Sequence, residues 1–241
     1  MVKTSAAGVV GCIGLAVALA ACSSPHKATP AGGESIPGTI SPGTVSAPAA
    51  STAPGPVPAG YKRIGGPAHG LSFAIPDYWV LIDPTPQAVK EGYKRVGVST
   101  FSLDFVLQAT AKVKALNGLF AADFRDATRS PRLFAPEMNA YCASSGVAIS
   151  GSGSIASLRS LVPQFQQLLH AVNMHGSDIN VGGIPGLEVS YTLNSRVGTL
   201  YNIQLQVLPR AYRGCFVTLT ATTDQLLEKI VPVIASTALF S

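Results

Sequence analysis

The chain has 241 residues, of which 47% are hydrophobic and only 12% charged, with a formal net charge of +5. That length accommodates one domain with a substantial core plus appendages. Apart from Lys3 and Lys27, the basic residues are scattered from Lys62 to Lys229. They do not alternate with aromatic residues, which excludes the pattern of a nucleic-acid surface. A small grouping at Lys90, Lys94 and Arg95 reads as solvated surface or as contact with anionic headgroups.

Residues 1–21 open with Lys3 and continue as an uncharged Ala- and Gly-rich run, "AAGVVGCIGLAVALAA". This is the pattern of an export leader, at the short end for a membrane-spanning helix. Cys12 inside it is one more small apolar residue. The run stops at Leu19-Ala20-Ala21-Cys22, which resembles the lipobox of bacterial lipoproteins. The resemblance implies a diacylglyceryl group on the Cys22 thiol, cleavage just before it and acylation (palmitate or similar) of the new amino terminus. The protein would then be exported and anchored to the outer face of the cell membrane. Each buried methylene contributes about 0.8 kcal/mol, so two or three chains anchor durably where one does not. The alternative is an ordinary leader in which Cys22 is incidental.

Residues 22–60 follow the leader as a Pro/Ser/Thr/Ala-rich stretch, with eight prolines, no aromatic residue, and Lys27 and Glu34 as its formal charges. Nothing in it can form a core that offsets the entropy of ordering, so a disordered tether is expected. A flexible coil of that length spans roughly 35 Å, and proline stiffens it further. Ser and Thr beside Pro also suit O-glycosylation.

From Tyr61 to Ser241 the texture is globular. "LSFAIP" and "WVLID" predict a hairpin around a Pro-Asp-Tyr turn. Leu103, Val106, Leu107 and Val113 recur at helical spacing, with Asn117-Gly118 as a stop. "LFAADF" and "NAYCAS" predict two short strands. A helix is expected after Ser154 as N-cap, with a stripe from Ile155 to Val172 and a kink or division at Pro163. "LEVSYTL", "NIQLQVL" and "CFVTLTA" predict a three-strand antiparallel meander. The last helix begins near Thr223 and should be limited by Pro232. The predicted class is α+β, a mostly antiparallel sheet packed with helices.

Within that order, "FAIPDYWVLID" resembles the strand, turn and Trp-bearing strand of the PsbP-like fold, and "VGGIPGLEVSY" resembles the Gly-rich turn feeding its meander. With the lipobox and tether, the chain looks like the LpqN-type group of actinobacterial (mycobacterial-type) lipoproteins. The resemblance implies a PsbP-like α/β/α sandwich over 61–241 and a membrane-anchored binding or interaction module, with no catalytic residues to carry over.

Cys142 and Cys215 remain as an even pair in an exported domain. They suggest a disulfide, with two separate buried thiols as the alternative. No metal is expected, because isolated cysteines without a CxxC or paired His lack ligand spacing. "SGVAISGSGSIAS" contains no G-x-S-x-G elbow, and the chain lacks HExxH, a P-loop and a strand-helix GxGxxG. His170 suits a helix end and His175 the loop after it; His69 is the remaining domain histidine. Asp77 and Asp83 flank the Trp79 strand in turn positions, which turn chemistry accounts for. The one distinctive surface is a set of uncharged polar residues, Ser190, Thr192, Gln204, Gln206, Thr218 and Thr220, placed opposite the apolar positions of the meander. Such a face suits solvent or a hydrogen-bonding ligand such as a glycan. The expectation is a non-enzymatic module that binds a protein or envelope component without a cofactor. A lipid or glycan carrier is the second reading, and an envelope enzyme the third.

Overall fold

The computed structural model describes residues 55–95, 103–127, 134–144, 153–195, 198–210 and 213–241. The leader, Leu19 to Cys22 and the tether as far as residue 54 lie outside the described residues. Period-two alternation in the second half of the chain builds the larger of two sheets. Its seven antiparallel strands run in the order β3 (Val80–Ile82), β4 (Leu119–Ala122), β5 (Glu137–Ser144), β9 (Arg213–Ala221), β8 (Gly198–Arg210), β7 (Ile184–Ser195) and β6 (Val172–Val181). A smaller sheet has β2 (Leu71–Pro76) between β1 (Tyr61–Gly66) and β10 (Leu239–Phe240). The fold is therefore α+β, with a mostly antiparallel sheet, as the residue pattern predicts.

Both faces of the large sheet carry packed elements. Helices α2 (Leu103–Ala115) and α4 (Gly153–Leu169) pack on one, here the helical face: α2 lies against β4 and β5, α4 against β6 and β7. Phe165, Leu169, Leu187, Val189, Tyr141 and Phe216 make its core. The opposite, mixed face carries α5 (Asp224–Thr237) and the small sheet, with Phe73, Ile75, Trp79, Met138, Leu205 and Ile234 between them. Each fully buried side chain of this size stabilises by about 1.5–3 kcal/mol relative to exposure.

Helix α1 (Pro86–Arg95) was not expected. Thr85 caps it, the Ala88 amide donating to Thr85 Oγ1 at 3.2 Å, with Pro86 in the first position. α2 stops as predicted: Asn117 takes φ 51°, and the Gly118 amide donates to the Val113 carbonyl at 2.8 Å. Helix α3 (Phe124–Ala127) is a single turn after β4.

Four expectations are corrected. The hairpin of "LSFAIP" and "WVLID" does not form, because β2 is already flanked by β1 and β10 while β3 pairs with β4 in the other sheet. Trp79, fully buried, carries the chain between the two. Of the two outcomes expected at Pro163, division does not occur, since α4 is one helix through that residue, and α5 runs past Pro232 to Thr237. Both prolines are exposed, so the missing amide bond and the ring face solvent, where a helix can bend. α4 begins at Gly153, one residue ahead of the expected cap. The meander has four strands, since β6 joins it as a polar edge with a bulge between Val172 and His175.

Cys142 and Cys215 are opposed on β5 and β9 and form a disulfide, with an S–S distance of 2.06 Å and Cα atoms 4.0 Å apart. At the same end, β10 pairs with β2, the Ser241 amide donates to the Gly70 carbonyl at 3.1 Å, and the Arg213 guanidinium donates to the Ser241 carbonyl. Among the described residues, no helix is long and apolar enough to cross a membrane.

Candidate binding face

The six uncharged polar residues expected on one face are divided between two. Pairing of β7 with β8 closes at Ser195 opposite Gly198, which sets odd positions of β7 against even positions of β8. Val189 therefore lies beside Gln204, and Ser190 beside Ile203. Directly opposed residues of an antiparallel pair share a face. Gln204, Gln206, Thr218 and Thr220 consequently point to the helical face, together with Val189 and Tyr191. Ser190 and Thr192 point to the mixed face.

On the helical face the polar residues are interior. Gln204, Gln206 and Thr220 are buried, as is Asn202 between them. They bond to one another: Gln206 Nε2 donates to Gln204 Oε1 at 2.7 Å, Gln204 Nε2 to Thr218 Oγ1 at 2.9 Å, and Thr220 Oγ1 to Asn202 Oδ1 at 2.8 Å, while the buried Gln206 Oε1 has no partner among the described residues. A linked set of this kind specifies strand register in a core rather than meeting solvent. These residues are not a surface ligand face.

The mixed face has a quarter that its helix does not cover. α5 starts just after Ala221, the partner of Tyr201, and ends where the Gly182 amide donates to the Ala235 carbonyl at 2.7 Å. It thus crosses obliquely from the end of β9 to the β6–β7 turn. The far ends of β6, β7 and β8 remain half-open, whereas Leu205 and Val207, farther along β8, are buried. This quarter presents His175 and Ser177 from β6, Glu188, Ser190 and Thr192 from β7, and Tyr201 and Ile203 from β8. His175 opposes Ser190, Ser177 opposes Glu188, and Thr192 opposes Tyr201, at the roughly 5 Å Cβ separation of directly paired residues.

Thr192 Oγ1 donates to the Val172 carbonyl at 3.2 Å. The imidazole of His175, the carboxylate of Glu188 and the hydroxyls of Ser177, Ser190 and Tyr201 make no hydrogen bond among the described residues. Burial raises the Glu188 carboxyl above its ordinary value, and the facing His175 opposes that rise. The arrangement combines acceptors, donors, one carboxylate and one phenol ring on a surface that is half-buried but for the exposed His175. The sequence pattern names Ser190 and Thr192 but not Glu188 or Tyr201, and His175, expected in a loop, lies on β6.

The other candidates are structural. His69 Nδ1 lies 2.8 Å from the Asn117 carbonyl oxygen, and Asn117 Nδ2 donates to the Ala68 carbonyl at 2.6 Å. His170 takes φ 50° just past α4 and is exposed. Asp77 sits in a turn, its amide donating to the Gly60 carbonyl at 2.9 Å. Asp83 pairs with Lys114 at 2.9 Å with both groups more than half exposed, an arrangement that contributes little.

A second cluster was not anticipated. Asp123 is buried directly after β4, and its Oδ1 accepts from the Arg125 amide at 3.0 Å and from Arg125 Nε at 3.3 Å. The Arg125 guanidinium lies over the Tyr78 ring, and burial, then the Asp123 charge, raises the Tyr78 phenol. The cluster ties the turn before β3 to the start of α3. Among the described residues, no three His, Cys, Asp or Glu side chains are grouped to hold a metal.

No family model matches the chain, and no curated protein matches it in sequence. Solved structures with a similar arrangement include cyanobacterial PsbP from Synechocystis, with a TM-score of 0.44, 11% identity and coverage of 76% of this chain and 94% of that one. LpqN of Mycobacterium tuberculosis, described as involved in cell envelope biogenesis, has a TM-score of 0.42 at 14% identity over 75% of this chain and 91% of its own. A Bacteroides thetaiotaomicron protein has a TM-score of 0.42 at 8% identity over 76% of this chain; the chain spans about half of that protein, 49%. At such identities the likeness concerns fold alone.

Proposed function

We propose that this is an exported lipoprotein, anchored to the outer face of the membrane through acylated Cys22, whose domain over 61–241 is a non-enzymatic binding module of the cell envelope. The half-open quarter of the mixed face carries this reading. Five polar side chains stand there without hydrogen-bond partners among the described residues, while the polar residues on the opposite face bond to one another. The Cys142–Cys215 disulfide supports export, because such bonds persist in oxidising compartments. The leader, lipobox and tether supply the address.

Two experiments test the proposal. Metabolic labelling with a fatty-acid probe should mark the wild-type protein; retention of label and membrane fraction by Cys22→Ala would overturn the anchor. A photo-crosslinking residue at Ser190 in cells should capture a defined envelope component that the same residue at exposed Gln225 does not. Equal capture at both positions would overturn the binding face.

A further inference from the structure

The open quarter is more specific than a generic contact surface. It carries one carboxylate, Glu188, and one imidazole, His175, on adjacent strands. An anionic ligand would meet the Glu188 carboxylate, and no Lys or Arg of β6, β7 or β8 shares this quarter. The large hydrophobic side chains exposed among the described residues are Val57, Val80, Leu81 and Val172, of which only Val172 borders it. An acyl chain or an amphipathic helix would therefore find little to bury here.

What remains is a set of hydroxyls beside two half-buried side chains that pack against the core, Tyr201 and Ile203. A sugar ring offers the complement, hydroxyls around its rim and C–H groups on its faces. A carboxylate suits that rim, since its two oxygens can accept from adjacent hydroxyls, and charge-assisted bonds are about twice as strong as neutral ones. Three strands at about 4.8 Å spacing make the quarter roughly 10 Å wide, about two pyranose units.

We propose that this face is a carbohydrate site that takes a neutral glycan segment. Glu188 accepts from a vicinal diol, Tyr201 lies against a sugar ring, and Ser177, Ser190 and His175 bond the outward hydroxyls. The proposal rests on the reading of this face as the module's binding surface and adds the ligand class.

The test uses the purified chain and a panel of neutral glucan, mannan and galactan tetrasaccharides, titrated into the millimolar range and followed by NMR line shifts. At least one should bind. Glu188→Gln and Tyr201→Ala should each weaken it tenfold or more, and Tyr201→Phe, which keeps the ring, by less than either. Circular dichroism and urea midpoints confirm that the variants fold. Gln225→Ala, on the exposed side of α5, should leave affinity unchanged. Binding of none of the panel, or binding that neither Glu188→Gln nor Tyr201→Ala alters, overturns the glycan. Capture of a protein from Ser190 with no glycan bound would remove the ligand class and leave the binding module standing. Failure of the Ser190 crosslinker to exceed Gln225 would remove both.

Discussion

Opening the Cys142–Cys215 bond should cost the domain much of its stability while leaving its fold in place. The two residues are 73 apart in sequence but directly opposed on β5 and β9. In the native state the sheet already holds them together, and Cys215 is fully buried, so reduction removes few native contacts. The effect falls on the unfolded chain, which regains the freedom of a long loop. The chain-entropy relation for a loop of this length gives about 4 kcal/mol, a large part of the 5–15 kcal/mol typical of a whole domain. The assay is urea unfolding of the oxidised protein, of the same protein under reductant, and of Cys142→Ala/Cys215→Ala. Midpoints should fall in both treated forms, and the slope against urea should rise as the uncrosslinked unfolded chain expands. A loss below about 1 kcal/mol with unchanged slope would refute the reasoning. So would alkylation of Cys142 or Cys215 in the native, unreduced protein.

Three further outcomes are expected. Thr237 is buried and accepts the Ala74 amide at 2.9 Å while donating to the Val233 carbonyl at 2.6 Å; Thr237→Val strands that amide and should cost about 1–3 kcal/mol in urea unfolding, whereas Thr237→Ser should keep the bond and cost less. Gly182 has φ 60°, and an added Cβ would lie 2.2 Å from the Ala238 carbonyl oxygen, so Gly182→Ala should destabilise by more than the roughly 1–2 kcal/mol of left-handed strain alone, read as a lowered thermal midpoint. Burial raises the Glu188 carboxyl above its ordinary 4.5, so the folded chain holds that proton more tightly than the unfolded one. The resulting stability is fully present below the unfolded value and lost as pH rises through the folded one; urea midpoints should show Glu188→Gln removing this component of the slope, and an unchanged slope would contradict it.

The sequence pattern showed which segments alternate but not how the strands pass their alternation to one another. β7, β8 and β9 are each visible as period-two runs, and most of their apolar residues are buried, Tyr201 and Ile203 being half-buried. The face each apolar set occupies depends on the parity of the β7–β8 turn, which no single strand encodes. Putting the apolar positions of all three strands on one side groups Gln204 with Ser190; the observed register places Gln204 with Val189. A strand such as β8, buried on both sides, hides this further, because Gln204 and Gln206 look solvated until their partners are known. Edge strand β6 escaped for the opposite reason, since most of its residues are polar or exposed and no alternation marks it.

The same parity creates the candidate site. Because Val189, Tyr191 and Leu193 turn to the helical face, Glu188, Ser190 and Thr192 must turn to the mixed face. Because α5 leaves β9 obliquely toward Gly182, that part of the mixed face is the part it does not reach. A one-residue change in the β7–β8 turn would bury the carboxylate of Glu188 against α4 and expose Val189 in its place. The candidate face is thus a consequence of strand register and of one helix's direction, and neither is written in any short motif of the chain.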